Sequence, residues 1–297
     1  MRRRDATVWL VFAAVVLVGG GNFVAVRFSN RELAPFWGAG LRFALAAALL
    51  LVLARVAGWP QPRDRALRGA LAYGTLGLGA SYAFMYWGLL EAPAALASVI
   101  VALVPLETLL LASAFGLERI RARAVLGAAI ALVGTAIVFG DQLRAVSLAA
   151  VLAMLAGSLC IAASTVAAKG FPRVHPVSMN GIAMLPGVAL LLGLSLVAGE
   201  PRVLPSRPEV IAAFAYLVLV GSTVLFVGFL YVLQRWTASA ISYATLLFPL
   251  VTVAIGAVLA GEIVSLQFLV GALLTIAGVY LGAVAPESAP REAAASA

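Results

Sequence analysis

Two stretches of this chain decide its fold. Residues 94–118 read AALASVIVALVPLETLLLASAFGLE, and residues 238–262 read ASAISYATLLFPLVTVAIGAVLAGE. A shift of 144 residues superimposes them and keeps its register beyond them. The informative aligned pairs are Ser98 with Ser242, Pro105 with Pro249, Thr108 with Thr252, Glu118 with Glu262, Gly127 with Gly271, and Gly134 with Gly278. Because coincident Pro, Glu and Gly residues are rare in segments rich in Ala and Leu, we infer an internal duplication.

The rest of the chain is as apolar as these stretches. Of its 297 residues, 64% are hydrophobic and only 11% are charged, far from the composition of soluble domains. Runs with little charge, near the 20 or so residues that a spanning helix needs, cover residues 6–26, 34–54, 69–90, 94–116, 124–140, 146–168, 176–198, 209–233, 238–260 and 264–284. Unpaired backbone amides are costly in hydrocarbon, and the runs lack the alternation of barrel strands. The sequence therefore predicts an all-α integral membrane protein with ten transmembrane helices.

The duplication divides these runs into two sets of five. Residues 1–141 are predicted to form the first repeat, residues 142–286 the second, and residues 287–297 a disordered tail. Because five is an odd number, the second repeat begins on the opposite side of the membrane from the first. Inverted repeats of this kind are typical of secondary transporters, which hold their substrate near the midplane between the repeats.

The basic residues between the runs indicate an orientation. Fourteen Lys and Arg residues fall on the side of the N-terminus, Arg291 among them, and five, including Arg144, fall on the other side. Loops rich in Lys and Arg remain in the cytoplasm, so both termini are predicted to be cytoplasmic, in the plasma (inner) membrane. The net charge of +8 is thereby explained by topology, and no nucleic-acid partner is expected.

Short motifs in both halves carry a family resemblance. They are Gly21-Asn22-Phe23-Val24 with Arg27, then Pro35 and Leu41-Arg42-Phe43, the segment from Tyr82 through Ala97-Ser98 and Pro105 to Glu118-Arg119, and Ser242, Pro249 and Glu262. Their order, spacing and duplication resemble the EamA family of the drug/metabolite transporter superfamily, with Gly19 and Gly20 where that family usually has Trp-Gly. The resemblance implies a ten-helix secondary transporter that moves small metabolites, amino acids or toxic compounds, most often outward.

Two charged side chains lie well inside predicted spans, where a charge costs on the order of 2.5 to 3.5 kcal/mol. Glu107 follows Pro105 by two residues, and Arg42 lies about eight residues into the second run. Glu107 is predicted to be a proton-coupling site or a counter-ion for a cationic substrate group, or else a structural partner of Arg42. Arg42 either binds an anionic substrate group or pairs with Glu107 or helix carbonyls. Because the resembled family carries Arg here across varied substrates, a structural or gating role is favoured for Arg42.

Glycines in the first span and the two aligned prolines are predicted to destabilise their helices locally. Three glycines, Gly19 to Gly21, each weaken a helix by roughly 1 kcal/mol relative to Ala, and Asn22 follows them directly. Its amide is either a substrate ligand or an interhelical hydrogen-bonding group. Pro105 and Pro249 each remove a helical hydrogen bond, so they are predicted to be pivots beside the substrate site, the alternative being tolerated kinks.

Aromatic and hydroxyl side chains complete the candidate substrate path. Tyr82 and Tyr86 are one turn apart, and Tyr243 lies in the second half. They either line the path or belong to the interfacial belt and the core. Ser164 and Thr165 align loosely with Asn22 and its neighbour, and they are either the pore-lining polar pair of the second half or bonded back to their own helix.

Other functional classes find little support in the sequence. No Gly-x-x-x-x-Gly-Lys-Ser/Thr motif for nucleotide binding is present. The single cysteine, Cys160, excludes a cysteine-rich metal site. The single histidine, His175, lies in a loop, and all three Asp residues lie outside the apolar runs, so an intramembrane enzyme is not expected. We expect no cofactor and no metal.

These observations together predict a secondary transporter that exports amino acids, related metabolites or drugs by alternating access, with proton coupling left open. The alternative is a passive channel or a facilitated exchanger without proton coupling. The expected partners are a small-molecule substrate and the lipid bilayer. A homodimer through small-residue faces around Gly127 and Gly271 is left open, because such faces permit close helix contact.

Overall fold

A computed structural model describes residues 3–89, 91, 94–139, 146–260 and 265–284 of the chain. All regular secondary structure within these residues is helical. Glu262, the basic residues Arg144 and Arg291, and the predicted tail at residues 287–297 lie outside the described residues.

The helices of the described residues fall into ten units, labelled α1 to α10, and each predicted apolar run coincides with one of them. The units are α1, Arg3–Ser29; α2, Pro35–Val56; α3, Asp64–Gly74 with Thr75–Ala80 and Ser81–Gly88; α4, Ala94–Val101 with Val104–Ala114; α5, Ala122–Phe139; α6, Leu148–Gly170; α7, Pro176–Val197; α8, Pro208–Tyr216 with Leu217–Val224 and Leu225–Leu233; α9, Ala238–Ser242 with Ala244–Ala260; and α10, Leu266–Val279 with Tyr280–Val284. Six of these, α1, α2, α6, α7, α8 and α9, contain stretches long and apolar enough to cross a membrane. The all-helical, multi-pass prediction is thus confirmed, while the number of ten crossings stays a prediction.

The middle of α3 and the middle of α8 are π-helical. The π-helical segments are Thr75–Ala80 and Leu217–Val224, which overlap when shifted by 144 residues. In the second of these, the hydroxyl of Thr223 donates to the carbonyl of Val218 at 2.9 Å. The sequence does not predict these segments, because a uniformly apolar run contains no periodic signal that separates a π-helix from an α-helix. Such bulges occur frequently at functional sites.

Equivalent helices of the two halves cross one another in antiparallel directions. A Cβ atom on Gly40 of α2 would lie 2.6 Å from Leu192 of α7, and one on Gly181 of α7 would lie 3.0 Å from Leu51 of α2. A shift of 141 residues converts the first contact into the second. The contact between α2 and α7 therefore has approximate twofold symmetry, and it depends on glycines that let the helices approach closely.

The contact between α5 and α10 has the same symmetry. A Cβ atom on Gly134 would lie 2.7 Å from the carbonyl oxygen of Gly271, and one on Gly278 would lie 2.5 Å from that of Gly127. A shift of 144 residues interchanges the two pairs. The small-residue faces that left a homodimer open therefore contact each other within the chain.

The helices α2 and α7 are both followed by a glycine in the left-handed conformation. The residue after the second glycine, Glu200, joins the halves. Gly58 and Gly199 follow α2 and α7 with φ of 68° and 64°, the left-handed conformation that glycine adopts without strain. Glu200 comes next in the chain and accepts hydrogen bonds from the backbone N–H groups of Phe36 at 3.1 Å and Trp37 at 2.8 Å. The carboxylate thus caps the N-terminus of α2, where the helix dipole favours negative charge.

A second acidic contact joins the halves at the same end of the bundle. Glu32, between α1 and α2, accepts hydrogen bonds from the backbone N–H of Ser206 at 2.7 Å and from its hydroxyl at 2.8 Å. It also forms an ion pair with Arg207, with 3.3 Å between Nε and Oε1. The loop that follows α1 is thereby fastened to the loop that precedes α8.

Two other charged residues bind helix termini at the opposite end of the bundle, Glu118 between the halves and Lys169 within the second half. Glu118, after α4, accepts a hydrogen bond from the backbone N–H of Ala238 at 2.6 Å, at the N-terminus of α9. Lys169 of α6 donates to the carbonyl oxygens of Leu233 at 2.8 Å and Trp236 at 2.6 Å, at the C-terminus of α8. Each charge has the sign that the adjacent helix terminus favours.

The close contact of α5 with α10 makes Gly134 sensitive to substitution. Gly134→Ala places a methyl group against backbone atoms of α10, which cannot move independently of that helix, and we expect a loss of about 1 to 3 kcal/mol in stability. Gly193→Ala in α7 is the matched control, since no atom lies within 4 Å of the added carbon. Thermal unfolding of the purified protein in detergent measures both. Equal unfolding midpoints for the two variants would contradict the contact.

The Glu32 contact predicts a pH dependence. Hydrogen bonds from Ser206, chiefly from its backbone N–H, hold the pKa of Glu32 below its ordinary value of 4.5. Because the pKa of Glu32 is lower in the folded protein, the ionised carboxylate stabilises the fold above pH 4.5. This stabilisation is lost as the pH falls through the pKa that Glu32 has in the folded state. The difference in unfolding midpoint between the wild type and Glu32→Gln should therefore disappear on acidification. A difference that stays constant from neutral to strongly acidic pH would argue against it.

Candidate functional site

Arg42 is buried inside the bundle, and no described residue serves as its counter-ion. Arg42 is 3% exposed, and its Nη2 atom donates a hydrogen bond to the hydroxyl of Tyr82 at 2.8 Å. The guanidinium carbon lies 4.6 Å from the ring centre of Phe43 and 5.3 Å from that of Tyr82, within the range of cation–π attraction. Among the described residues no carboxylate lies within ion-pair distance of Arg42. The predicted alternative of a structural pair with Glu107 is therefore not what the structure contains.

Aromatic rings surround this arginine and connect α2 to α3 and α8. Phe43 packs edge-on against Tyr82 at 5.1 Å and against Phe226 at 6.0 Å between ring centres. Tyr82 contacts Tyr86 at 6.0 Å, and Tyr86 contacts Phe36 at 5.9 Å. Tyr82 and Tyr86 therefore belong to one cluster with Arg42, which we call the Arg42 cluster. Phe36, Phe43 and Phe226 were not among the predicted site residues, since a phenylalanine in an apolar run carries no distinguishing signal.

Asn22 forms a polar contact between α1 and α8. Its Nδ2 atom donates to the carbonyl oxygen of Gly221 at 3.0 Å, in the π-helical segment of α8. Its Oδ1 atom is buried without a hydrogen-bond partner, as is the hydroxyl of the neighbouring Ser222. The amide thus makes the interhelical bond that one prediction expected and keeps one acceptor unused.

The equivalent contact of the other half involves Ser164. A Cβ atom on Gly77, in the π-helical segment of α3, would lie 2.8 Å from the Cβ of Ser164, and one on Gly221 would lie 2.9 Å from the Cγ of Asn22. Gly77 and Gly221 are 144 residues apart. In each half, then, a polar residue of the first helix packs on a glycine in the π-helical segment of the other half. The hydroxyls of Ser164 and Thr165 also bond back to Ile161 of their own helix, at 2.7 Å and 3.0 Å.

Glu107 lies elsewhere, at the contact of α4 with α6. Its Oε1 atom accepts a hydrogen bond from the hydroxyl of Ser158 at 2.9 Å, and its Oε2 atom is buried without a partner. The repeat-equivalent residue, Val251, contacts Gly20 of α1. Ser158 is not among the predicted site residues. Ser158 is a polar residue in the same apolar run as Ser164, six residues before it. The sequence does not show that α4 packs against α6, so it cannot pair Ser158 with Glu107.

The two prolines do not occupy identical positions in their helices. Pro105 lies in the first turn of the segment that starts at Val104, after an interruption of α4, whereas Pro249 lies inside a continuous segment of α9. The interruption of α9 occurs earlier, at Tyr243. Tyr243 is 1% exposed and donates its hydroxyl hydrogen to the carbonyl of Ala124 at 2.7 Å, so it packs against α5, away from the Arg42 cluster. Whether the prolines act as pivots stays a prediction.

Comparison with known proteins assigns the chain to a class and a family. Its apolar helices and its homology define a multi-pass membrane transporter. The model of the EamA-like transporter family matches residues 6–140 and again residues 148–283. The chain belongs to the EamA-like transporter family, which confirms the resemblance inferred from the motifs. It is a transporter and not an enzyme.

Proteins similar over their full length carry transporter names. The "Uncharacterized inner membrane transporter YedA" of Escherichia coli strain K12 is 31% identical over 290 residues, which cover 93% of each chain. The "Probable terminal-alkyne amino-acid exporter" of Streptantibioticus cattleyicolor is 30% identical over 280 residues, which cover 92% of each chain. A solved crystal structure matches with a TM-score of 0.80 and 22% identity over 93% of this chain and 97% of its own, and it has the same fold.

The contact of Asn22 with Gly221 predicts an energetic coupling. Gly221→Ala should displace the Asn22 amide and cost about 1 to 3 kcal/mol of stability, because the added methyl overlaps it. In an Asn22→Ala background the space is vacant, so the same substitution should cost less, with a coupling energy of about 0.5 to 3 kcal/mol. Unfolding of the four proteins in detergent measures the cycle. Strictly additive effects would contradict the contact.

Proposed function

We propose that this protein is a secondary transporter of the plasma (inner) membrane that exports small amino-acid-type metabolites by alternating access. In this proposal ten helices cross the membrane as two inverted repeats of five, with both termini in the cytoplasm. The observation that carries it is the symmetric, antiparallel contact of α2 with α7, in which Gly40 and Gly181 play equivalent roles. Inverted repeats give a transporter two related conformations that open to opposite sides.

The charged contacts at the two ends support a rocking motion between the halves. At one end Glu32 and Glu200 bond to the other half, and at the opposite end Glu118 does so. These bonds lie outside the packed centre and between polar groups that water can also satisfy. They can therefore break and re-form at a moderate net cost, about 1.5 to 3 kcal/mol for a hydrogen bond to a charged group. Both ends are closed by these bonds in this structure, so in the proposed cycle it is the occluded state, from which one end opens while the other stays closed.

The proposed substrate class rests on homology and on chemistry. A relative covering the full length is named as an amino-acid exporter. The described interior offers an arginine, an unpaired carboxylate oxygen and aromatic rings, groups that suit a small polar solute with an apolar side chain.

Glu107 is the proposed coupling site for protons. Its only described hydrogen bond is the one from Ser158, and among the described residues no cation neutralises it. A carboxyl group in such a place can bind a proton when the site opens to one side and release it when the site opens to the other. Intramembrane carboxylates without a cation partner commonly serve as proton relays.

Substitution of Glu107 tests this proposal. We expect Glu107→Gln, reconstituted in liposomes, to lose stimulation of transport by an imposed pH gradient, because the amide cannot carry the proton. Counterflow of a labelled amino acid at equal pH should continue, since it requires no net proton movement. Glu209→Gln, an exposed carboxylate in the first turn of α8, is the matched control.

The outcomes distinguish the alternatives. Full gradient-driven flux in Glu107→Gln would overturn the coupling role of Glu107 and leave the transporter assignment intact. Saturable counterflow that ignores the gradient even in the wild type would indicate a facilitated exchanger. Flux that neither saturates nor shows counterflow would indicate a passive channel.

A further inference from the structure

We propose that Arg42 binds the carboxylate group of the transported substrate, so that the protein selects small carboxylic acids, amino acids among them. This inference rests on the proposed transport function and assigns the chemical group recognised at its site. It starts from the absence of a counter-ion for Arg42 in the described part of the chain, although the residue is only 3% exposed.

Two acids at the same end of the bundle, Glu200 and Glu32, are already engaged. Glu200 accepts hydrogen bonds from the backbone N–H groups of Phe36 and Trp37, and Glu32 bonds to the loop before α8. Arg42 lies seven residues after Pro35, the first residue of α2, or about 10 Å along the helix. A buried guanidinium without an anion is costly, and a protein retains it where an anion binds during function.

The guanidinium is positioned for a planar anion. The rings of Phe43 and Tyr82 lie within cation–π distance of the guanidinium. The hydroxyl of Tyr82 accepts a hydrogen bond from Nη2. The Nε atom is buried and has no hydrogen-bond partner. The Nε–H is parallel to one N–H of Nη2, and Nη2 has a second N–H that can donate to Tyr82, so the pair can still bind a carboxylate with two hydrogen bonds.

The aromatic neighbours fix this orientation and suit the rest of a small solute. Tyr86, Phe36 and Phe226 extend the cluster through ring contacts with Tyr82 and Phe43 and with one another. A substrate carboxylate has no described protein anion to displace, so its attraction to the guanidinium offsets part of the cost of its own dehydration. One guanidinium matches a single negative charge, which favours a carboxylate over a doubly charged phosphate.

The test compares three amino acids with their own carboxamides, which differ only in the carboxylate. The probes are L-propargylglycine, L-phenylalanine and L-threonine, with their amides. Binding to the purified protein is measured by titration calorimetry, and transport by counterflow in liposomes. We expect at least one acid to bind wild type ten-fold or more tightly than its amide. Arg42→Gln should weaken binding of that acid by ten- to a hundred-fold and leave binding of the amide unchanged.

Two further variants keep the test decisive. Arg42→Lys retains the charge but not the two parallel N–H groups, so it should keep only part of the preference for the acid. Arg55→Gln, an exposed arginine in the last turn of the same helix, should keep all of it. If Arg42→Gln fails to fold, the preference of the wild type and its reduction in Arg42→Lys decide the matter.

The failures are distinguishable. Equal affinity of wild type for acids and amides, equal weakening of both by Arg42→Gln, or no binding of any acid overturns the role of Arg42. Saturable counterflow of acids and amides alike would overturn it too, while the transport proposal stands. Arg42-dependent binding of acids without any counterflow would support the site and overturn the transport proposal.

Discussion

Backbone contact between helices at glycine residues is the constraint on which the rest of this structure depends. Lipid tails are as apolar as leucine side chains, so burying apolar surface between helices gains little in a membrane. Close packing must supply the attraction, and it does so where Gly40, Gly181, Gly134 and Gly278 let neighbouring helices touch. Because each contact has a symmetric counterpart, one duplicated set of glycines holds both halves together.

The polar groups are distributed according to the same symmetry, with informative exceptions. Asn22 and Ser164 pack on equivalent glycines of the opposite halves. Glu107 and Arg42 have no such counterparts: Glu107 aligns with Val251, and Arg42 aligns with Ala183 when shifted by 141 residues. Groups that break the symmetry are not needed to hold the duplicated frame. They are therefore the natural place for substrate and proton chemistry.

The sequence was sufficient for the helices, the duplication and the family, because hydropathy and a repeat of 144 residues are local or periodic signals. It also singled out Arg42, Glu107 and Asn22, since polar groups in apolar runs are conspicuous. It could not supply their partners. Tyr82, Ser158 and Gly221 meet them only through the way that helices pack. The predicted alternative of a pair between Arg42 and Glu107 was wrong for this reason. The sequence shows two opposite charges in apolar runs, but it does not show which helices are neighbours.

The π-helical segment of α3 has a consequence for the direction of every residue beyond it. A π turn accommodates an extra residue, and one residue corresponds to about 100° of rotation in an α-helix. Tyr82 follows this segment directly, at the start of Ser81–Gly88. In a regular α-helix the same sequence would turn its hydroxyl by roughly a quarter of a revolution, away from the guanidinium of Arg42. The π-helical segment of α3 thus sets the direction in which Tyr82 points, toward Arg42.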